Sequence, residues 1–212
     1  MPTLYYYPGN ASMAPHMVLE EIGAAFELRL VDRDKSAHKA PDYLRLNPNG
    51  LIPAFVDGDL VLFESAAICL HLADRHPASR LAPELGTAER AQFYKWLIHL
   101  TNTVQAELLS YFYPERLTDD AAAALQVKAH AETRVGEIFD RIEASLAAGG
   151  PYLLGPRFSA ADLYLLMLAR WTRGMTNPAR NRKAVRRLLD RLIERPAVQR
   201  VFAKEEVAAP LF

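Results

Sequence analysis

The sequence predicts two parts of different fold class: an α/β part with element order β-α-β-α-β-β-α, followed by an all-α part. Strand-like and helix-like segments alternate up to residue 76, and only helical periodicity follows residue 86. Such a separation of patterns is typical of two domains. We predict these domains at 1–76 and 87–212, with a linker at 77–86 because that stretch, PASRLAPELG, holds two prolines and a glycine.

The first 32 residues have the pattern of a β-α-β unit. TLYYY is aromatic and β-branched and stops at Pro8-Gly9, as a strand does when it enters a turn. The next segment has apolar residues at helical spacing and ends at Gly23, which suits a helix C-cap. FELRLVD then alternates apolar and polar residues. A strand, a helix and a second strand in this order predict two parallel strands with a right-handed connection.

Two further strands and two helices complete the first part. Residues 33–47 are charged, with a short helix predicted at Ala40–Leu46. In IPAFVDGDLVLF two apolar runs flank Asp57-Gly58-Asp59, which indicates a β-hairpin. ESAAICLHLADRH then reads as an amphipathic helix that ends before Pro77. These elements predict a small mixed sheet with helices on its faces.

The second part contains five predicted helices. The clearest start is FSAADLYL, where Ser159 and Asp162 have the spacing of a capping box. We interpret this pair as a folding signal without a chemical role. The helices are predicted at 87–113, 120–147, 159–173, 182–194 and 196–204.

Composition excludes several classes of protein. The single cysteine, Cys69, excludes a disulfide framework, and neither it nor the six scattered histidines match a metal-binding pattern. The formal net charge is zero, so no overall field favours nucleic acid or an anionic membrane. No apolar stretch approaches the roughly 18 residues that span a bilayer, and no secretory signal pattern is present. We therefore predict a cytoplasmic protein with no metal, nucleic-acid or membrane partner.

Polar residues at two predicted helix starts are candidates for ligand binding. Glu64 and Ser65 precede the third helix, where a carboxylate would meet backbone N–H groups and an ammonium group would meet Glu64. Ser12 precedes the first helix, where its hydroxyl would donate to a thiolate or oxyanion, with Asn10 as a second donor. Both serines equally suit ordinary helix caps, and the residues alone do not decide between the two roles.

The order of several segments points to a known family. They are PGNASMAPHMVLEE, LNPNGLIPAF, LFESAAICLHLADR and FSAADLYL, followed by RPAVQRVFAKE. In this combination the chain resembles the cytosolic glutathione S-transferases over its full length. The resemblance implies a thioredoxin-like N-terminal domain and an all-helical C-terminal domain, together the GST fold. It also implies glutathione as co-substrate and a homodimer.

The resemblance assigns roles to matched positions. Ile52, before a cis Pro53, would pair its backbone with the cysteinyl part of glutathione, and Glu64 and Ser65 would hold the γ-glutamyl group. Three basic residues of one loop are alternatives for the glycine carboxylate. The complete set of implied glutathione-binding residues is Lys35, His38, Lys39, Leu51, Ile52, Pro53, Glu64 and Ser65.

Within the family, the first helix start is most similar to the bacterial beta class, whose pattern is Ser-Pro-Gly-Ala-Cys-Ser-Leu-Ala-Pro-His. Ala11 stands at the cysteine position, and Leu109 and Ser110 stand where that class has a His-Lys pair. Chemistry through a protein cysteine is therefore not expected. Ser12 becomes the first candidate to activate the glutathione thiol, with Asn10 and Tyr6 as alternatives.

The implied reaction is addition of the glutathione thiolate to a small hydrophobic electrophile. The alternatives on the same fold are a glutathione-dependent isomerase, dehalogenase, ether-cleaving enzyme or disulfide reductase, and a non-catalytic glutathione-binding or stress module. The electrophile is expected between the two domains, although core packing explains each candidate side chain equally well. These candidates are Met13, Leu108, Tyr111, Phe112 and Trp171.

Overall fold

A computed structural model describes all 212 residues of the chain. Its contacts divide the chain into two compact units. The first unit comprises Met1–Ala82 together with Ile193–Ala208, and the second comprises Pro83–Leu192 together with Ala209–Phe212. No helix is both long and apolar enough to cross a membrane.

The first unit contains one mixed sheet, as the sequence predicts. Its strands are β1 (Thr3–Tyr6), β2 (Glu27–Leu30), β3 (Ala54–Asp57) and β4 (Leu60–Phe63), in the spatial order β2-β1-β3-β4. The β-α-β unit produces the parallel pair β1–β2, whereas β3 runs antiparallel to both β1 and β4. The predicted hairpin is confirmed: Asp57 pairs with Leu60, so Gly58 and Asp59 form a two-residue turn.

Nine α-helices complete the two units. They are α1 (Met13–Ile22), α2 (Pro41–Leu44), α3 (Ser65–Arg75), α4 (Ala88–His99), α5 (Ala106–Phe112), α6 (Ala121–Gly149), α7 (Ala160–Trp171), α8 (Lys183–Ile193) and α9 (Pro196–Lys204). The predicted C-cap of α1 is confirmed, because Gly23 is left-handed and donates its N–H to the Leu19 carbonyl.

Alternation along β1 sends successive tyrosines to opposite faces of the sheet. The Tyr6 ring lies 6.1 Å from that of His16 in α1, and the Tyr5 ring lies 6.1 Å from that of Tyr43 in α2. Tyr5 and Tyr7 pack on a buried cluster of Val31, Tyr43, Ile52 and Ala54. The sheet is therefore covered on both faces, and the face that carries Ile52 is the one opposite α1.

The predicted helix 87–113 is wrong in one respect, because Leu100–Gln105 is π-helical and separates α4 from α5. Thr101 donates its hydroxyl to the Leu97 carbonyl at 2.9 Å, so a side chain contacts one of the carbonyls on which the helix depends. Asn102, Thr103 and Val104 are also weaker helix formers than their neighbours. Local chemistry thus accounts for the change in helical pitch.

The second difference concerns α9, which the sequence assigned to the domain 87–212. The contacts place residues 193–208 with the first unit instead. Arg195 forms a two-pronged ion pair with Glu21, and Arg200 pairs with Glu20 at 2.6 Å, so α9 is joined to the C-terminal end of α1. These partners lie more than 170 positions apart, which is why a local pattern did not reveal them.

The predicted capping box at the start of α7 is confirmed. Asp162 is fully buried and accepts hydrogen bonds from the backbone N–H groups of Leu153 and Ser159, at 2.9 and 2.8 Å. Burial raises the pKa of Asp162 to about 6, because it outweighs the hydrogen bonds that favour the carboxylate. Asp162 therefore joins the loop before α7 to its first turn.

Asp162→Asn should remove a specific pH dependence of stability. Since the folded pKa is about 6 and the ordinary value is about 4, the folded chain binds more protons than the unfolded chain between these values. The free energy of unfolding of the parent should then fall relative to that of the variant as pH rises from about 4 to about 6, by up to about 2–3 kcal/mol. Urea unfolding at a series of pH values measures this difference.

Asp119→Asn, at an exposed position, is the matched control and should follow the parent at each pH. Parallel curves for the parent and Asp162→Asn would show that Asp162 does not titrate in this range.

Candidate glutathione site

The loop between β1 and α1 is closed by Ser12. This side chain is fully buried; its hydroxyl donates to the Tyr7 carbonyl at 3.1 Å and accepts from the Tyr7 N–H at 3.2 Å. A hydroxyl can donate only one hydrogen bond, and here the Tyr7 carbonyl accepts it. Ser12 makes no side-chain capping bond to α1. Its observed role is therefore to hold the two ends of the loop together, and this geometry disfavours it as a thiol donor.

Asn10 is the residue of this loop with donors to spare. Its side-chain oxygen accepts from the Ala11 N–H at 2.7 Å, and the carboxamide NH₂ group takes no part in that bond. Asn10 is partly exposed, whereas Ala11 and Ser12 are buried. Of the two candidates in this loop, Asn10 and not Ser12 combines a side-chain donor unused within the loop with partial exposure.

Tyr6 lies on the other face of the sheet from Ile52. Burial raises the pKa of its phenol, and the nearby carboxylates of Glu205 and Glu206 raise it further. The phenol is therefore held in its protonated form. Because β1 alternates, the structure brings Tyr5 and Tyr7, and not Tyr6, to the cluster that contains Ile52.

The segment Leu51–Pro53 is held by its carbonyl groups. The Leu51 carbonyl accepts from the Tyr43 hydroxyl at 2.7 Å and from the Asn47 side-chain amide at 2.8 Å. The Ile52–Pro53 peptide bond is cis, as the resemblance implies. The pairing of β3 with β1 begins only at Ala54. Ile52 thus lies beyond the paired part of the strand.

Two of the three basic candidates lie against this segment. Lys39 Nζ is 3.5 Å from the Asn49 carbonyl, and a Cβ on Gly50 would come within 2.7 Å of the same Nζ, so only glycine allows this approach. His38 has a buried Nδ1 without a hydrogen-bond partner; burial lowers its pKa, and Lys39 and Arg33 lower it further. Lys35 is instead mostly exposed and paired with Asp32 at 2.9 Å.

Glu64, at the start of α3, has an unusual backbone conformation. Its φ is 70° and its ψ is 109°, a region that non-glycine residues rarely occupy and that costs of order 1–3 kcal/mol. The side chain is exposed and makes no capping bond, and the next residue, Ser65, is buried in the first turn. A free carboxylate therefore stands beside helix N–H groups that have no partner within the helix.

The candidates for the electrophile divide into two kinds. Met13 and Leu108 are fully buried core residues. In the second unit, the Phe112 ring contacts the rings of Tyr111 and Trp171, at centroid distances of 5.1 and 6.4 Å, and Phe112 is 42% exposed. Cys69 is fully buried, as predicted, and burial raises its pKa. No group of three or more His, Cys, Asp or Glu side chains is arranged to hold a metal ion.

Two family models match the chain. The description "Glutathione S-transferase, N-terminal domain" covers residues 2–74, and "Glutathione S-transferase, C-terminal domain" covers residues 101–196. The chain belongs to the glutathione S-transferase family. Its relatives include glutathione S-transferase GST-4.5 of Xanthomonas campestris, 32% identical over 79% of this chain and 81% of the relative. Glutathione S-transferase 3 of Zea mays is 35% identical over 91% and 89%.

Solved structures agree with this family membership. A glutathione transferase homologue from Sulfitobacter with bound glutathione superposes with a TM-score of 0.89 at 26% identity, over 96% of this chain and 98% of that one. A glutathione transferase from Methylococcus capsulatus gives 0.85 at 34% identity, over 98% and 100%. A bacterial beta-class enzyme from Sphingomonas chungbukensis gives 0.84 at 29%, over 97% and 100%.

The family fold thus brings together most of the predicted glutathione residues within the first unit, and it separates others. His38, Lys39, Leu51, Ile52 and Pro53 belong to one connected region. Sequence reasoning missed Glu205, which follows α9 and accepts a hydrogen bond from the Gly9 N–H at 2.9 Å. No signal in the sequence links two residues 196 positions apart.

Ser12→Ala should destabilise the protein. The substitution leaves the partly buried Tyr7 N–H without its acceptor and the Tyr7 carbonyl with only the Asn10 N–H, at an expected cost of about 1–3 kcal/mol in the free energy of unfolding. Ser110→Ala, which removes a solvent-facing hydroxyl bonded to the Ala106 carbonyl, should change stability by less than about 0.5 kcal/mol. Urea unfolding of both variants makes the comparison. If Ser12→Ala were as stable as Ser110→Ala, Ser12 would not be needed to close the loop.

Proposed function

We propose that this family member is a glutathione S-transferase that activates the glutathione thiol with the Asn10 carboxamide. The observation that carries glutathione binding is the strained backbone of Glu64, directly before Ser65 at the start of α3. A backbone conformation that glycine would adopt at lower cost is occupied by a glutamate with a free carboxylate. Such strain at a helix N-terminus is typical of a site that binds a ligand.

Glutathione offers groups that match the chemistry of this region. Its γ-glutamyl ammonium suits the Glu64 carboxylate, and its γ-glutamyl carboxylate suits the N–H groups and hydroxyl at Ser65. Its cysteinyl backbone suits Ile52, whose position lies beyond the paired part of β3. Its glycine carboxylate suits Lys39 and the buried, unpartnered ring nitrogen of His38.

Ionisation of the glutathione thiol is favoured by a hydrogen-bond donor and by a positive electrostatic potential at the sulfur. A free thiol ionises near pH 8.5, and a hydrogen bond to the thiolate lowers that pKa. Asn10 supplies the donor, and the N-terminus of α1 adds its positive end. The thiol proton passes to solvent, the thiolate sulfur attacks the electrophilic carbon, a carbon–sulfur bond forms, and a leaving group departs with its electron pair.

The residues that bind the electrophile and the oligomeric state of the protein are also proposals. The aromatic cluster of Tyr111, Phe112 and Trp171 is the candidate to contact a hydrophobic electrophile, since part of it is exposed. We also propose a homodimer and a cytoplasmic location, which the family membership supports. A disulfide reductase that uses a protein cysteine is disfavoured, because Ala11 occupies the loop and Cys69 is buried.

Asn10→Asp tests the donor with little change in shape. Aspartate keeps an oxygen to accept from Ala11 but supplies no N–H, and its charge opposes the thiolate. We expect the pKa of bound glutathione to rise by at least about one unit relative to the parent, equal to about 1.4 kcal/mol. Thiolate absorbance across pH measures it, with Asn10→Ala as the neutral comparison.

Ser12→Ala is the alternative in the same titration. If it alone restored the ordinary thiol pKa while both Asn10 variants did not, the donor would be Ser12. If the parent failed to bind glutathione in calorimetry, the proposed function itself would be wrong.

Glu64→Gly should separate stability from binding. Glycine tolerates positive φ, so the variant is expected to be more stable by about 1 kcal/mol and to bind glutathione at least tenfold more weakly. Glu64→Gln keeps the strained backbone and removes the charge, so it should weaken binding without the gain in stability. Thermal unfolding and calorimetry measure both quantities. Unchanged glutathione affinity in both variants would remove Glu64 from the site.

A further inference from the structure

Glu205 forms a buried bridge to the loop between β1 and α1. One carboxylate oxygen, Oε1, lies 2.8 Å from His16 Nδ1, and the other, Oε2, accepts from the Gly9 N–H at 2.9 Å. The side chains of His16 and Glu205 have no exposed surface. A buried carboxylate is costly unless its oxygens are hydrogen-bonded. Here both oxygens have a partner, and both partners flank the proposed thiol donor in sequence.

The imidazole of His16 depends on this single polar contact. A carboxylate only accepts, so Nδ1 carries the proton that faces Glu205. The other ring nitrogen, Nε2, is buried and has no partner. The rings of Tyr6 and Phe26 lie at 6.1 and 5.8 Å from the imidazole ring. His16 therefore orients one oxygen of Glu205, which leaves the other directed at Gly9.

The loop is consequently fixed at two points on either side of Asn10. Ser12 bonds to both backbone groups of Tyr7, and Glu205 bonds to the N–H of Gly9, the residue directly before Asn10. We propose that Glu205 is a positioning residue that, through Gly9, places the Asn10 carboxamide where the glutathione sulfur binds. This inference rests on the proposed function.

The sign of one measurement distinguishes positioning from a charge effect. A carboxylate near a thiolate disfavours the anion, so removing the charge alone would lower the pKa of bound glutathione. Loss of the Gly9 contact would instead misplace the donor and raise that pKa. A purely structural role would change stability and leave the pKa of the folded fraction unaltered.

Two variants of similar size separate these effects. Glu205→Met removes the charge and both acceptors. Glu205→Gln also removes the charge, but its oxygen can accept from Gly9 while its NH₂ group donates to His16 Nδ1, once the imidazole proton moves to Nε2. Glu194→Gln, at an exposed position in the same segment of the first unit, is the control for loss of a carboxylate.

The experiment measures the pKa of bound glutathione by thiolate absorbance, and KM and kcat with chlorodinitrobenzene as electrophile, on folded protein verified by circular dichroism. We expect Glu205→Met to raise the thiol pKa by about one unit and to lower kcat near neutral pH about tenfold. Glu205→Gln should stay within about twofold of the parent in kcat, with a thiol pKa equal to or below that of the parent. Glu194→Gln should match the parent.

Three results would overturn the proposal: a folded Glu205→Met with the parent's thiol pKa and kcat, a lowered thiol pKa in that variant, or equal losses in the Met and Gln variants. If Glu205→Met does not fold, Glu205→Gln decides, because its oxygen can still accept from Gly9. A raised thiol pKa in Glu205→Gln would then contradict positioning through the Gly9 contact. Glutathione binding by the parent is measured first, so failure of the proposed function is seen separately.

Discussion

The pair of hydrogen bonds between Ser12 and Tyr7 fixes the geometry at the start of α1. The hydroxyl of Ser12 donates a hydrogen bond to the Tyr7 carbonyl and accepts one from the Tyr7 N–H, so the four residues between them are closed into a loop by one side chain. The position of Asn10 depends on that closure, because it joins the residue after β1 to the residue before α1. It also uses the only donor of Ser12, which is why we propose the partly exposed Asn10 as the thiol donor.

The parts of the fold that were predictable are those with strong local sequence signals. The β-α-β unit, the hairpin at Gly58 and the capping box at Asp162 each arise from residues a few positions apart, and each was confirmed. The π-helical stretch and the attachment of α9 were missed. The first depends on a competition for carbonyl groups within a helix, and the second on ion pairs between Arg195 or Arg200 and the distant end of α1.

The candidate site shows the same division. The order of motifs predicted the cis peptide before Pro53, which is confirmed, and the roles of Glu64 and Ser65, which stay predictions; the structure adds the positive φ of Glu64. The sequence placed Ser12 before Asn10 and Tyr6, and the structure disfavours that order, because burial and hydrogen bonding determine which donors are available. The sequence offered Lys35 and His38 equally as partners of the glycine carboxylate. In the structure Lys35 is ion-paired with Asp32, whereas the Nδ1 atom of His38 is buried and has no hydrogen-bond partner.

The first unit is discontinuous in sequence, since residues 193–208 complete what residues 1–82 begin. During synthesis the N-terminal segment leaves the ribosome long before the segment that supplies Glu205 and the α9 arginines. Domains usually fold in the order in which they are made, but here the first unit remains incomplete until the second has been translated. Completion of the first unit, including the contact of Glu205 with Gly9, is therefore a late event in biosynthesis.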